Sequence, residues 1–253
     1  AIRVRIFLSD KIINLTIFLA NLAFYMPLIE HVVYPDLSES GIWKIEESKQ
    51  ELMQNLDLSK QEIEELEGFA WHQRQLQWLA VRWLLFKMSG RDERGKVFKD
   101  TTGKPSLSDS AFNITLSHSH QFVAAAAAPY PIGVDIQVKS DRMRRIIRKF
   151  ADEKELQACM GRKDLNLAHL IWSAKESMFK AFGEVEVSFS RHFHVCSPDK
   201  IDCQKSTGSF RGKVKKGEDV MAFDFIFSQD DEKVFVLGKS TAEEHLRKDH
   251  ALS

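Results

Sequence analysis

The segment Trp172–Lys180, WSAKESMFK, spaces a glutamate and a lysine one turn apart behind a tryptophan. On a helix, Trp172, Glu176 and Lys180 fall at i, i+4 and i+8 along one face. Glu176 and Lys180 alone also fit an exposed, salt-bridged pair. The large aromatic on the same face argues instead for burial or a pocket, where a charged pair needs a partner or a ligand. Upstream, GVDIQ (133–137) places Asp135 two residues before Gln137 in a short apolar run. In a strand the two share a face, about 6–7 Å apart. A strand carboxylate, a neighbouring amide oxygen and a helix glutamate form a hard, oxygen-only set that suits magnesium, which leans on substrate phosphates for the rest of its shell. Lys180, a compact point charge, can reach the same phosphate. Asp135, Gln137 and Glu176 are therefore the expected metal-holding residues, and together the motifs point to phosphoryl transfer.

Other stretches fit a polyphosphate ligand. Lys104 sits on the tight turn TGKPS, and LSHS presents Ser117 and His118 at a strand end. Arg74 and Arg82 lie two turns apart on one helix and could clamp a phosphate. His118 equally fits a histidine at the edge of a core, and the arginines a solvated helix face. No glycine-rich phosphate loop is present.

These residues need elements to hold them. Residues 29–45 alternate like strands, and Ser48–Leu56 and then Ser59–Met88 read as helices: SKQEIEEL opens on a Ser59/Glu62 capping box, and FAWHQRQLQWLAVRWLLFKM follows as an amphipathic helix. AFNITLSHSHQFVAAAAAP favours helix by its alanines. Its flanking Phe112, Ile114, Leu116, Phe122 and Val123 favour two strands broken at SHSH, and strands are expected. PYPIG reads as a hinge between two halves. DRMRRIIRKFADEKELQACM and LNLAHLIWSAKESMFKAFG each read as one helix, the latter capped by Gly183. VSFSRHFHV, GSFRGKV, VMAFDFIFS and KVFVLGKS read as strands, followed by a short polar tail.

With 253 residues, 43% of them apolar and a formal net charge of zero, the chain has material for a real core and no global field to draw in nucleic acid or membrane. Cys159, Cys196 and Cys203 show no metal or redox spacing, which fits reduced thiols in a cytoplasmic protein. The apolar stretch Ile12–Phe24 is short for a bilayer. Residues 1–25 are expected as an extension outside the catalytic fold, with Met26 as a natural start. KSDRMRRIIRKF (139–150) carries six basic residues against one acid. Its apolar members share a stripe, so the arginines should face outward.

The ordered set Arg74 with Arg82, GKP at 103–105, LSHS at 116–119, GVDI at 133–136 and WSAKES with Lys180 resembles the 4′-phosphopantetheinyl transferases of the surfactin-synthetase-activator type. The resemblance implies an α+β fold of two similar subdomains related by a pseudo-twofold, here 26–132 and 133–253, with coenzyme A in the cleft between them. It implies transfer of the phosphopantetheine arm of coenzyme A onto a serine of an apo acyl or peptidyl carrier protein, releasing 3′,5′-ADP. Asp135 and Glu176 match the magnesium-binding acids, and Lys180 the lysine near the bridging phosphates. Lys104, Ser117 and His118 match nucleotide or phosphate contacts. Arg74, Arg82 and Lys175 are further expected coenzyme A contacts, and Glu176 and Lys180 the expected catalytic pair. The basic helix would face an acidic carrier, and the chain would act as a monomer. A degenerate coenzyme A-binding module is the alternative.

Overall fold

The computed structural model describes residues 2–8, 11–17 and 28–241, and forms the alanine run as strand β8 (Phe122–Ala128) with every side chain buried. The reason is burial on two faces. Val123, Ala125 and Ala127 join the cluster under the helix α3 (His72–Ser89). Phe122, Ala124, Ala126 and Ala128 join a cluster with Val134, Ile136, Phe235 and Leu237 of a second sheet. A strand between two layers at this distance takes small side chains, whatever their helix propensity.

The architecture is mixed α+β. The first sheet runs β2 (Lys11–Ile17), β1 (Ile2–Leu8), β3 (Leu28–Val33), β4 (Glu39–Lys44), β8 and β7 (Asn113–Ser119). Its pairs are antiparallel except β1 with β3. Of the stretch 1–25, the described backbone thus lies at this sheet's edge. Met26 and the polar tail from 242 onward lie outside the described residues. α1 (Lys49–Leu56) and α2 (Lys60–Glu67) both open on capping boxes, Ser48 with Glu51 and Ser59 with Glu62, the latter as expected. A hairpin of β5 (Val97–Lys99) and β6 (Pro105–Leu107) turns on Gly103 at φ +85°.

The second sheet is antiparallel throughout, in the order β10 (Phe193–Val195), β11 (Thr207–Lys216), β12 (Asp219–Gln229), β13 (Lys233–Ser240) and β9 (Ile132–Val138). Helix α6 (Asn166–Phe182) packs across β9 and β13 and ends at Gly183 in the left-handed conformation. Its Leu170, Ile171, Ala174 and Met178 share a core with Phe223, Phe225 and Phe227.

Two expectations are corrected. The long helix from residue 141 is two, α4 (Met143–Phe150) and α5 (Glu153–Cys159), because Asp152 and Glu155 form a capping box that restarts the helix after an extended Ala151. VSFSRHFHV is strand only at its end. Ser188 N–H donates to His192 Nδ1, and Phe189–His192 closes one helical turn, α7, before β10 begins.

The two sheets meet edge to edge at β7 and β9 through side chains. Backbone N–H groups of Val134, Ile136 and Val138 donate to Thr115 Oγ1, Ser117 Oγ and Ser119 Oγ at 3.2, 3.2 and 3.0 Å. The period of two matches one face of β7 to one edge of β9. Among the described residues no helix is long and apolar enough to cross a membrane.

Candidate active site

Asp135 lies mid-strand on β9, buried beneath α6, and the seam aims it. Ser117 accepts from Ile136 N–H and donates its own proton to Asp135 Oδ1 at 2.9 Å. Lys180, from the last turn of α6, donates to the same Oδ1 at 3.1 Å and to Val134 O at 2.8 Å. Asp135 Oδ2 is buried with no hydrogen-bond partner. One turn before Lys180, Glu176 has its carboxyl pushed up to about 7, first by burial and then by the Asp135 charge, with Lys180 opposing both. An orphaned carboxylate oxygen beside a second carboxyl of raised pKa is a pair that a cation would satisfy. Magnesium therefore fits Asp135 and Glu176. Among the described residues no three His, Cys, Asp or Glu side chains gather as a fuller set.

Gln137, two residues along, contacts His169 instead. His169 Nδ1 and Gln137 Oε1 are 3.3 Å apart, and His169 Nε2 accepts from Ser140 N–H at 3.2 Å. Burial pushes the imidazole down to about 4.

A cavity of about 280 Å³ opens on the other side of Lys180, between the first sheet, the hairpin and the end of α6. Arg74, Arg82, Lys99, Lys104, His118 and Lys180 line it, with apolar walls from Trp78, Ile114, Leu116 and Phe179. This combination suits a ligand with an anionic part and an uncharged, largely apolar part. Arg74 Nη1 donates to His118 Nε2, which is thereby an acceptor. Burial first, then the charges of Arg74 and Lys180, holds His118 down to about 4. Lys104 Nζ reaches Ala181 O at 3.4 Å, at the C-terminal end of α6, where helix carbonyls attract cations. The hairpin thus touches the second half directly.

The structure brings Asp135, Glu176, Lys180, Lys104, Arg74 and His118 around one region, and shows other members differently engaged. Arg82 lines the cavity, yet its side chain is 3% exposed, and its guanidinium lies 3.3 Å from the centre of the Trp78 ring and bridges to Glu65 and Glu62 of α2. Ser117 holds Asp135. Lys175 does not face the cavity. It is fully buried, donating to Glu155 at 2.6 Å and to the carbonyls of Phe150 and Phe189 at 2.9 and 3.0 Å. Burial raises Glu155 and lowers Lys175, each opposing the other's shift. Lys99 and His169 escaped the sequence reading. Lys99 precedes the turn that carries Lys104, and His169 precedes Glu176 by two helical turns, the signals that could have found them.

Residues 131–230 match the family model described as the 4′-phosphopantetheinyl transferase superfamily. Over 89 residues the chain is 34% identical to the 4′-phosphopantetheinyl transferase gsp of Aneurinibacillus migulanus, a match that takes in 34% of this chain and only 37% of that protein's length. The likeness to 4′-phosphopantetheinyl transferases, read above from motif order, is thus borne out over the segment that holds β9 and α6.

Proposed function

We propose that this protein is a 4′-phosphopantetheinyl transferase that moves the phosphopantetheine arm of coenzyme A onto a serine hydroxyl of an acyl or peptidyl carrier protein. The observation that carries the reading is Lys180, which joins a cation-lined cavity on one side to the acids Asp135 and Glu176 on the other. In this reading the cavity holds coenzyme A. Arg74, Lys99, Lys104 and His118 meet its phosphates, and Trp78, Leu116 and Phe179 flank its uncharged parts. The halves 26–132 and 133–253 serve as the two subdomains.

The bond broken is the pyrophosphate link and the bond formed joins the serine oxygen to the pantetheine phosphorus, so most of the chain's work is positioning and charge neutralisation. Magnesium held by Asp135 and Glu176 would supply charge neutralisation on the phosphates. Glu176, by its place beside Asp135 and Lys180, is the group to take the serine proton, directly or through a water. Lys180 adds a positive charge beside the departing 3′,5′-ADP. The carrier docks on the exposed basic face of α4, where Arg144, Arg145, Arg148 and Lys149 point outward. The chain acts as a cytoplasmic monomer. Incubation of an apo carrier protein with coenzyme A, magnesium and this chain is expected to add one phosphopantetheine group by intact-mass spectrometry. No gain with any acidic carrier, alongside retained coenzyme A binding, would show a binding module instead.

A further inference from the structure

Asp135 and Gln137 alternate onto the same face of β9, yet their oxygens are engaged differently. Asp135 keeps Oδ2 free of any hydrogen bond, whereas Gln137 Oε1 is 3.3 Å from His169 Nδ1. His169 is 1% exposed, and its other contact fixes its tautomer. The Ser140 backbone N–H can only donate, and it meets Nε2 at 3.2 Å. Nε2 therefore carries the lone pair, and the proton of the neutral ring sits on Nδ1. Nδ1–H needs an acceptor, and the carboxamide oxygen of Gln137 provides it. The NH2 end of Gln137 is left turned away from the ring.

We propose that Gln137 is a hydrogen-bond donor at this site rather than a ligand of its cation, with His169 as the positioning residue that sets the orientation of the carboxamide. The proposal rests on the transferase reading and deepens it. The chain's own metal-holding set is then Asp135 and Glu176 alone. The amide N–H of Gln137 is offered to an oxygen of the acceptor substrate, because β9 runs from Asp135 through Gln137 toward the basic helix α4. An amide NH2 group carries no lone pair for a cation, which leaves the ion to the carboxylates.

Nitrogen-15 NMR of the imidazoles in the full chain reads the tautomer, with His169 assigned by its loss in H169F. A neutral ring protonated at Nδ1 is expected, and a proton on Nε2 overturns the proposal. Manganese(II) titrated by electron paramagnetic resonance in the presence of coenzyme A reads the metal shell. Removing a group that holds the ion, or orients one that does, costs about tenfold or more in affinity. Q137A is expected within about twofold of the unmodified chain, and a tenfold loss overturns the proposal. In turnover, Q137A and H169F should raise the carrier KM about threefold to tenfold with the coenzyme A KM unchanged. H169N, whose side-chain amide can stand in for Nδ1–H, should restore most of it; equal rises in both KM values count against the donor role. A chain that modifies no carrier would overturn the transferase reading, while the Nδ1–H tautomer would still support the orientation of Gln137.

Discussion

A Cβ placed on Gly133 would stand 1.8 Å from the carbonyl oxygen of Ser177. Strand β9 and helix α6 therefore touch backbone to backbone, and that approach brings Asp135 on the strand to Glu176 and Lys180 on the helix. Gly133→Ala forces the two elements apart. It should cost about 1–3 kcal/mol in unfolding free energy and lower transfer even where the chain stays folded. A denaturant midpoint and a turnover rate equal to those of the unmodified chain would contradict this account.

The acids themselves set a pH dependence. Glu176 has an ordinary value of 4.5 in the unfolded chain and about 7 in the folded one, chiefly through burial and then Asp135. Between these values the folded state holds a proton that the unfolded state has released. Stability of the metal-free chain should therefore fall as pH rises from about 4.5 to about 7. Glu176→Gln removes that fall. Allowing for partial exposure, the variant should be more stable than the parent by about 1–2 kcal/mol near pH 8, with the gap closing near pH 4. The same variant should lose transfer. Urea melts across this range are the measurement, and a gap that widens toward acid would show the shift to have the opposite sign.

Lys175 and Glu155 make the strongest statement about the second half's interior. Both are fully buried, and Lys175 also ties the last carbonyl of α4 to α7. Lys175→Met leaves Glu155 buried beside one fewer partner, and should destabilise by about 3–5 kcal/mol. The double change Lys175→Met with Glu155→Gln should recover part of that loss, because no lone buried charge remains. A double-mutant cycle in urea tests the coupling, and strict additivity would sink it.

On the surface of α4, Arg145→Glu and Arg148→Glu reverse two exposed charges without touching the core stripe of Met143 and Phe150. If this face receives an acidic carrier, the carrier KM should rise by about tenfold at low salt, and less at high salt, with the coenzyme A KM unchanged. Steady-state kinetics with each substrate varied in turn gives the answer. Equal rises in both would move the docking face elsewhere.

What was legible in the sequence follows from how local each signal is. The hydroxyl-rich strand β7, the strand carrying Asp135 and the helix carrying Glu176 and Lys180 all show their periods within a dozen residues. The break at Ala151 was also written locally, as Asp152 three residues before Glu155, but an apolar stripe continuing through the break masked it. The fate of Lys175 was not legible at all. Its neighbours WSA and ES place it on an active helix, while its burial depends on Glu155 and on carbonyls from two other helices. His169 was hidden for a similar reason. A histidine among Leu167, Ala168 and Leu170 looks like core until the backbone N–H of Ser140 arrives from another element.

The hydroxyls of Thr115, Ser117 and Ser119 have one further consequence. β9 closes one end of the second sheet and β7 closes one end of the first. A bare strand edge is a template on which another chain can add itself. Here the outward N–H groups of Val134, Ile136 and Val138 are already occupied by short side chains that offer no backbone to extend. The same three rungs, the middle one of which continues through Ser117 to Asp135, thus stop sheet growth along that edge of β9.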